Sequence, residues 1–317
     1  MDKNQRQDTI GILYPGEMGA SFGKLLCDAG FRVVTTTEGR SVRTHRLCRE
    51  AGLSVLGSLD DVIKHSDTVM SLVSPGAACS VARDVAARMK DSSRSLVYID
   101  ANSISPMTVT EIAEALRDVP VDFVDASIFG LASQLRQRGM LYLSGPRAKE
   151  ISNQFGALLR VKAVGDMPGA ASALKMIVSG IPKGLSALFI ETMLLAQCMN
   201  LLGEAREACD EIYPSIMEVI NRMIPTYPQH AGRRSEELKE VEETMLMSGV
   251  TPRILAAVRE LTAALAGINW PDHDHQQWTI AEVIEQIHEE GILQLSRSPF
   301  PQFPKQNKNE VERYYPV

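Results

Sequence analysis

Short apolar runs alternate with helical segments through the first half of the chain. Thr9–Leu13 is a compact apolar run followed by a glycine-bearing turn. From Met18 to Ala29 the apolar positions recur with helical spacing, and Gly30 supplies the stop. Phe31–Thr36 is β-branched and predicts a second strand, and Val42–Ala51 predicts a helix that ends at Gly52. Thr68–Val73 and Leu96–Asp100 predict strands, with a helix from Ala77 to Met89 between them. Ser105–Leu116 predicts a helix opened by Ser105-Pro106, and Val121–Ile128 and Met140–Leu143 predict further strands. Such alternation implies a doubly wound α/β sheet of the Rossmann type, mostly parallel, with helices on both faces. Right-handed crossovers then place the carboxyl ends of the strands on one rim.

After about Gly165 the strand signals nearly vanish. Helical patterns follow over Gly169–Leu202, Glu204–Met223, Ser235–Ser248, Pro252–Gly267 and Thr279–Gly291. The expected organisation is a dinucleotide-binding domain over 1–166, an all-α substrate and dimerisation domain over 167–295, and a flexible tail over 296–317. The tail is rich in Pro, Lys, Asn and Gln, a composition that favours disorder. The helix over Gly169–Leu202 has more apolar residues than one stripe needs, so burial on several sides is expected. Pro182 should kink or divide it.

Composition narrows the classes of partner. The chain has 317 residues, a net charge of −6 and no long basic run, which argues against nucleic acid. The longest apolar stretch, near Leu185–Leu202, is broken by Glu191, Thr192 and Gln197, so a buried helix is expected rather than a membrane span. Five scattered cysteines form no CxxC pair, and the polar start lacks the apolar core of a signal peptide; both fit a cytoplasmic protein. His273 and His275 have metal-like company in Asp272 and Asp274. Their spacing in a short polar loop reads as surface, and no metal site is expected.

The chemistry starts at Gly11-Ile12-Leu13-Tyr14-Pro15-Gly16-Glu17-Met18-Gly19. The dinucleotide fingerprint GxGxxG links a strand to a helix, and here Tyr14 stands in the first glycine's place while Gly16 and Gly19 keep the second and third. The second glycine lets the backbone approach a pyrophosphate, and the third lets helix and strand pack closely. The helix N-terminus then offers amides and the positive end of its dipole. The expected cofactor contacts are Tyr14, Pro15, Gly16, Glu17, Met18 and Gly19, with Val73, Ser74 and Asn102 at the ends of later strands. The second strand runs into Thr37-Glu38-Gly39-Arg40-Ser41. Glu38 suits the ribose hydroxyls of NAD. Arg40, with Thr37 and Ser41, suits the 2′-phosphate of NADP. The reading favours NADP, with NAD as the alternative.

Several motifs together resemble the β-hydroxyacid dehydrogenase superfamily, which includes 6-phosphogluconate and 3-hydroxyisobutyrate dehydrogenases. Gly11 to Gly19 is similar to its opening turn. Asp100-Ala101-Asn102-Ser103-Ile104-Ser105-Pro106 resembles its strand-five motif, and Val124-Asp125-Ala126-Ser127-Ile128-Phe129-Gly130 resembles its substrate loop. Gly169 through Lys175 resembles the start of its long interdomain helix, where the catalytic lysine stands, and Glu191 falls where the family often has a Glu. His230 to Glu237, Glu243-Thr244-Met245 and Gly249 to Pro252 are similar to a branch with a short, helical 6-phosphogluconate-dehydrogenase-like C-terminal domain. Phe129, Leu131 and Ser179 stand where the family has Ser, Gly and Asn.

The resemblance implies an oxidoreductase acting on a small hydroxy acid or its keto form. Lys175 would be the general acid or base, with Lys183 as a rival, and Ser179, one turn further on, would join it in catalysis by hydrogen-bonding the substrate or the lysine. Asn102 and Ser103 are expected at the end of the fifth strand, Asn102 alternatively as a plain helix cap. Ser103, Phe129 and Gly130 would meet the substrate. His230 and Arg233 would reach an anionic group from a partner subunit, or else lie in a solvated loop. A homodimer with its active site between the domains is expected. An imine reductase on the same scaffold and a non-catalytic dinucleotide-binding dimer are the alternatives.

Overall fold

A computed structural model of the chain describes residues 8–271 and 277–292. His273, His275 and the tail over 296–317 lie outside the described residues.

The first half builds one sheet, in chain order β1 (Thr9–Leu13), α1 (Glu17–Asp28), β2 (Arg32–Thr36), α2 (Val42–Glu50), β3 (Ser54–Leu56), α3 (Leu59–His65), β4 (Thr68–Ser71), α4 (Ala78–Met89), β5 (Leu96–Asp100), α5 (Pro106–Ala115), β6 (Val121–Phe129), α6 (Leu135–Arg138), β7 (Met140–Ser144), α7 (Ala148–Phe155) and β8 (Arg160–Gly165). The strands lie in the order β3-β2-β1-β4-β5-β6-β7-β8. The first six are parallel, β7 runs antiparallel to β6, and β8 is parallel to β7. The order 3-2-1-4-5-6 is that of a dinucleotide-binding sheet, so the doubly wound fold expected from the sequence is present.

Side-chain alternation splits the core between the two faces. Ile10, Ile12, Val97 and Ile99 pack with Phe22, Leu26 and Phe155 on one face. Leu13, Leu96 and Tyr98 pack with Val62, Val81, Val85 and Ile112 on the other. Parallel pairing sets Leu13, Ser71, Asp100 and Asp125 in one row, so the residues beyond them share the carboxyl rim of the sheet.

Five elements escaped the sequence pattern: β3, α3, α6, α7 and β8. The first of these is three residues long and largely exposed at the sheet edge, and β8 is half-exposed throughout, so neither has an apolar run to reveal it.

The second half is helical: α8 (Ala170–Cys198), α9 (Leu202–Ile212), α10 (Pro214–Met223), α11 (Tyr227–Met247), α12 (Arg253–Ala266) and α13 (Ile280–Glu290). Its core gathers Phe189, Ile190, Met193, Ile220, Tyr227, Leu238, Leu265, Val283 and Ile284. The pattern over Glu204–Met223 is two helices, because Pro214 restarts the chain at the N-terminus of α10, where its missing N–H is harmless. Residues 227–234 extend α11 at its start, since Pro228 also falls in a first turn. The loop expected around His230 and Arg233 is therefore helix.

The chain divides into compact units 1–178 and 179–317, so the first unit reaches twelve residues past the expected boundary at 166/167. The first turns of α8 are hydrogen-bonded to β6, which ties them to the first unit. Helix α8 continues through Pro182 as one element. It is long and apolar enough to cross a membrane by length and composition. It is not buried on several sides as expected: Ile177, Ile181, Leu188 and Leu195 are exposed, while Met176, Ile190 and Met193 on other faces are buried.

Candidate functional site

The glycine turn has the features a dinucleotide needs. Tyr14 adopts φ +49°, the left-handed region that glycine enters freely and other residues enter at a cost of about 1–2 kcal/mol. The tyrosine thus keeps the backbone form of the glycine it replaces. Gly16 is the N-cap of α1, and no side chain caps that helix. A Cβ on Gly16 would point into open space, so the protein's own packing does not demand glycine there. Gly19 differs, because its Cβ would come within 2.9 Å of the Pro15 Cβ and 3.5 Å of Ile12. It serves close helix–strand packing, as the fingerprint predicts. Gly11 is also a packing glycine, since its Cβ would meet Ser66 Oγ at 2.6 Å. An uncapped helix start behind open space leaves room for an anion such as a pyrophosphate at the first amides of α1. Met18 packs on the core, while Glu17 is exposed and 3.5 Å from Arg43.

Beyond β2, Thr37 to Arg40 form a turn closed by Arg40 N–H donating to Thr37 O at 3.0 Å, with Gly39 at φ +68°. Thr37 is buried, and its hydroxyl lies 3.0 Å from His45 Nδ1. Ser41 caps α2 by accepting from Thr44 N–H. The Arg40 guanidinium stands 5.6 Å from the centre of the Tyr14 ring, and Glu38 is exposed beside it.

Asn102 fastens the ends of β4 and β5 together. Its Oδ1 accepts from Val73 N–H at 2.6 Å, and its Nδ2 donates to Ser71 Oγ at 3.0 Å and Asp100 Oδ2 at 2.8 Å. It is not a helix cap: Ser105 caps α5, accepting from Thr108 N–H at 3.2 Å. Asp100, which the sequence reading passed over, is fully buried, and burial raises its carboxyl from 3.8 to about 7 against two opposing hydrogen bonds from Asn102. An acid ending the run Leu-Val-Tyr-Ile-Asp was the available signal. Ser74 precedes a short turn over Pro75–Ala77, and Ser103 is half-buried next to Asn102.

Asp125 was likewise not singled out. It is buried on β6 and collects four hydrogen bonds: Oδ2 accepts from Ser144 Oγ at 2.7 Å, Gly169 N–H at 2.9 Å and Ser172 N–H at 3.1 Å, and Oδ1 accepts from Ser172 Oγ at 2.6 Å. A carboxylate at the start of α8 satisfies amides that have no helical partner and complements the dipole. One turn later Lys175 donates its ammonium to Ile128 O, and that nitrogen lies 4.6 Å from the centre of the Phe129 ring. Phe129 is braced edge-on by Tyr142 at 5.3 Å. Gly130 follows at φ +121°, where a Cβ would press within 3.3 Å of Gly139.

The first unit thus brings Tyr14, Pro15, Gly16, Val73, Ser74, Asn102, Ser103, Phe129, Gly130 and Lys175 to the carboxyl rim of one sheet. Ser179, His230 and Arg233 belong to the second unit. There Glu237 accepts from Arg233 at 2.6 Å and pairs with Lys183 at 3.0 Å. Lys183 is 4% exposed, and burial pushes its ammonium down while Glu237 pulls it back up. That burial fits a packing role better than the rival chemical one. Arg234 lies over the Tyr227 ring at 4.4 Å and donates to Thr226 Oγ1 at 2.6 Å. Among the described residues no group of three His, Cys, Asp or Glu side chains is placed to hold a metal ion.

Residues 9–162 match the NAD binding domain of 6-phosphogluconate dehydrogenase, and residues 196–265 match a domain of unknown function, DUF1932. An uncharacterised 28.5 kDa protein of Methanothermus fervidus is 27% identical over 255 residues, covering 80% of this chain and 96% of its own. A solved conserved protein of unknown function, described as similar in structure to 3-hydroxyacid dehydrogenases, is 30% identical with a TM-score of 0.61, covering 81% of this chain and 96% of its own. The 3-hydroxyisobutyrate dehydrogenase of Mycobacterium tuberculosis shares the fold with a TM-score of 0.67 at 16% identity, covering 89% of this chain and 99% of its own.

Proposed function

The chain belongs to the β-hydroxyacid dehydrogenase superfamily, and from that premise we propose that it interconverts a small hydroxy acid and its keto form with NADP as cofactor. The observation that carries this reading is the lysine at the rim: Lys175 Nζ, fixed by the Ile128 carbonyl and the Phe129 ring at the end of β6, in the same sheet edge as the glycine turn. When bound, the nicotinamide supplies or takes up the hydride. Lys175 moves the matching proton. As an ammonium it gives one to the carbonyl oxygen in reduction, and as an amine it takes one from the hydroxyl in oxidation. Gly16 to Gly19 hold the pyrophosphate, Arg40 with Thr37 and Ser41 holds the 2′-phosphate, and Asn102 with Val73 shapes the rim. Phe129, Gly130 and Ser103 border the substrate. His230, Arg233 and Ser179 are proposed to complete substrate binding. NADP rather than NAD is supported by Arg40, whose cationic fork suits a phosphate dianion.

The exposed apolar residues of α8, Ile177, Ile181, Leu188 and Leu195, support a homodimer formed over that helix, because an unpaired apolar stripe of this size marks an interface. Light scattering on the purified chain tests it, and a monomer at micromolar concentration would remove that part of the reading.

The reading is tested with Lys175→Met. Turnover of a panel of short 3-hydroxy acids and 3-keto acids should fall by at least about a thousandfold, the usual scale for losing a positioned acid–base group with its geometry. NADPH affinity by calorimetry should be retained. Undiminished turnover would overturn the role of Lys175. Tight NADPH binding by the unaltered protein with no turnover anywhere in the panel would overturn the hydroxy-acid assignment.

A further inference from the structure

We infer that Tyr14 determines how strongly the protein prefers NADP(H) over NAD(H), by holding the Arg40 guanidinium in place before the cofactor arrives. This rests on the NADP reading given above and adds a residue that the fingerprint itself does not call for.

The argument starts from the backbone. Glycine would enter φ +49° without strain, yet tyrosine stands there. Strained backbone persists where surrounding contacts over-determine it. The ring packs against the apolar cluster on that face of the sheet, and the Arg40 guanidinium lies 5.6 Å from its centre, across the gap between the β1 and β2 ends. The other arginines nearby are differently engaged. Arg43 pairs with Glu17 at 3.5 Å, and Arg88 pairs with Asp60 at 3.0 Å and Asp84 at 3.7 Å. Arg40 makes no ion pair among the described residues. A neutral ring face attracts the cation without cancelling its charge. The guanidinium is therefore positioned but keeps its full charge and its fork of donors for a ligand phosphate.

The backbone beneath it is also set. Arg40 N–H donates to Thr37 O, Gly39 takes the left-handed conformation, and Ser41 begins α2 as its cap. Glu38, on the far side of Gly39, has its own N–H bound to Thr36 Oγ1 at 3.3 Å. The side-chain torsions of Arg40 are what the Tyr14 ring restrains. An arginine already restrained gives up less rotamer freedom on gripping a phosphate. NADH carries no 2′-phosphate and gains nothing from this. Loss of the ring should thus lower NADPH affinity selectively.

The test is direct titration of NADPH and NADH, by calorimetry or cofactor fluorescence, into the full chain and its Tyr14→Phe, Tyr14→Leu and Tyr14→Gly variants. The unaltered protein should favour NADPH. Tyr14→Phe keeps the ring and should keep the affinity ratio. Tyr14→Leu and Tyr14→Gly should each cut the ratio by about two- to fivefold, the scale of a partly exposed cation–π contact. Tyr14→Gly suits the backbone conformation and serves if the leucine variant folds poorly. In an Arg40→Ala background the Tyr14 substitutions should no longer change the ratio. An unchanged ratio in the leucine and glycine variants overturns the inference and leaves the NADP reading standing. So does an equal loss for both cofactors, which a purely structural tyrosine would give. A preference of the unaltered protein for NADH overturns the NADP reading and this inference with it.

Discussion

Ser172 donates its hydroxyl to Asp125 across 2.6 Å, joining the first turn of α8 to the sixth strand of the sheet. The same carboxylate takes the Gly169 and Ser172 amides and the Ser144 hydroxyl. Lys175 stands one turn beyond, so a strand residue decides where the ammonium sits. Asp125→Asn replaces an acceptor-only group with one that must turn two N–H donors toward donors. It should cost about 2–4 kcal/mol of unfolding free energy, the scale for breaking charge-assisted bonds at a buried group. Ser172→Ala should cost about 1 kcal/mol. Urea denaturation of the two variants checks the ranking, and an unshifted midpoint for Asp125→Asn would show that the cluster does not anchor the helix.

Asp100 carries a pH dependence whose sign follows from its burial. Its carboxyl sits at about 7 in the folded protein against 3.8 when unperturbed. Between those values the folded state keeps a proton that the unfolded chain releases. Its stabilising contribution is complete below about pH 4, shrinks as pH rises, and is gone above about pH 8. The whole effect is on the order of 4 kcal/mol, from three pKa units at 1.36 kcal/mol each. The groups facing it are Tyr98, whose phenol burial pushes well up, Asp125, and Cys79, whose thiol burial also pushes up. Neither phenol nor thiol ionises in this window. Melting temperatures of the unaltered protein and Asp100→Asn are compared from about pH 5 to pH 8: the unaltered protein should lose stability with rising pH up to about 7 where Asp100→Asn does not, and the two curves should run parallel above that. Curves parallel over the whole range would mean Asp100 does not titrate there.

Much of this arrangement was legible in the sequence, for reasons that differ between residues. The strand–turn–helix around Gly16 and Gly19 was legible because chain reversal, close packing and phosphate approach all demand glycine within one short window. Strands β1, β2, β4, β5 and β6 announced themselves as apolar runs because both faces of the central sheet are buried. Strands at the edge did not, since Ser54–Leu56 has little to bury. The start of α11 was hidden by Pro228 and Gly232, which read as loop signals although a first turn accommodates proline. Asp125 was hidden for another reason. Its partners Ser144, Gly169 and Ser172 lie up to 47 residues away, and no local pattern reports a contact made only when the sheet forms.

In the second unit, Lys183 and Glu237 form a buried pair at 3.0 Å, with Arg233 on the other carboxylate oxygen. Removing one partner of such a pair strands a charge in the interior. Lys183→Met should cost on the order of 3 kcal/mol, less than an isolated pair would because Arg233 remains with Glu237. Lys183→Met combined with Glu237→Leu should recover part of that loss, since the remaining side chains are apolar and of similar bulk. Thermal unfolding of the two variants and of Glu237→Leu alone decides it. A double variant less stable than the unaltered protein by the full sum of the costs of Lys183→Met and Glu237→Leu, each measured alone, would show that the pair is not energetically coupled.

The glycines of the opening turn separate folding from ligand binding. Gly11 lies inside β1, and an added Cβ would meet Ser66 Oγ at 2.6 Å and Val62 Cγ1 at 2.8 Å, both in buried residues that cannot swing away. Gly11→Ala should therefore destabilise the protein by about 1–3 kcal/mol through overpacking. Gly16 sits five residues later with open space where its Cβ would project. Gly16→Val leaves the core untouched and should lower stability only by the loss of a tolerable N-cap, about 0.5 kcal/mol. Its branched side chain fills the approach to the α1 amides, so NADPH affinity should fall at least about tenfold. Melting curves without cofactor and titrations with it, run on both variants, give the contrast. If Gly16→Val bound NADPH as tightly as the unaltered chain, the pyrophosphate could not lie against that helix start, and the placement of the whole cofactor along the rim would have to be abandoned.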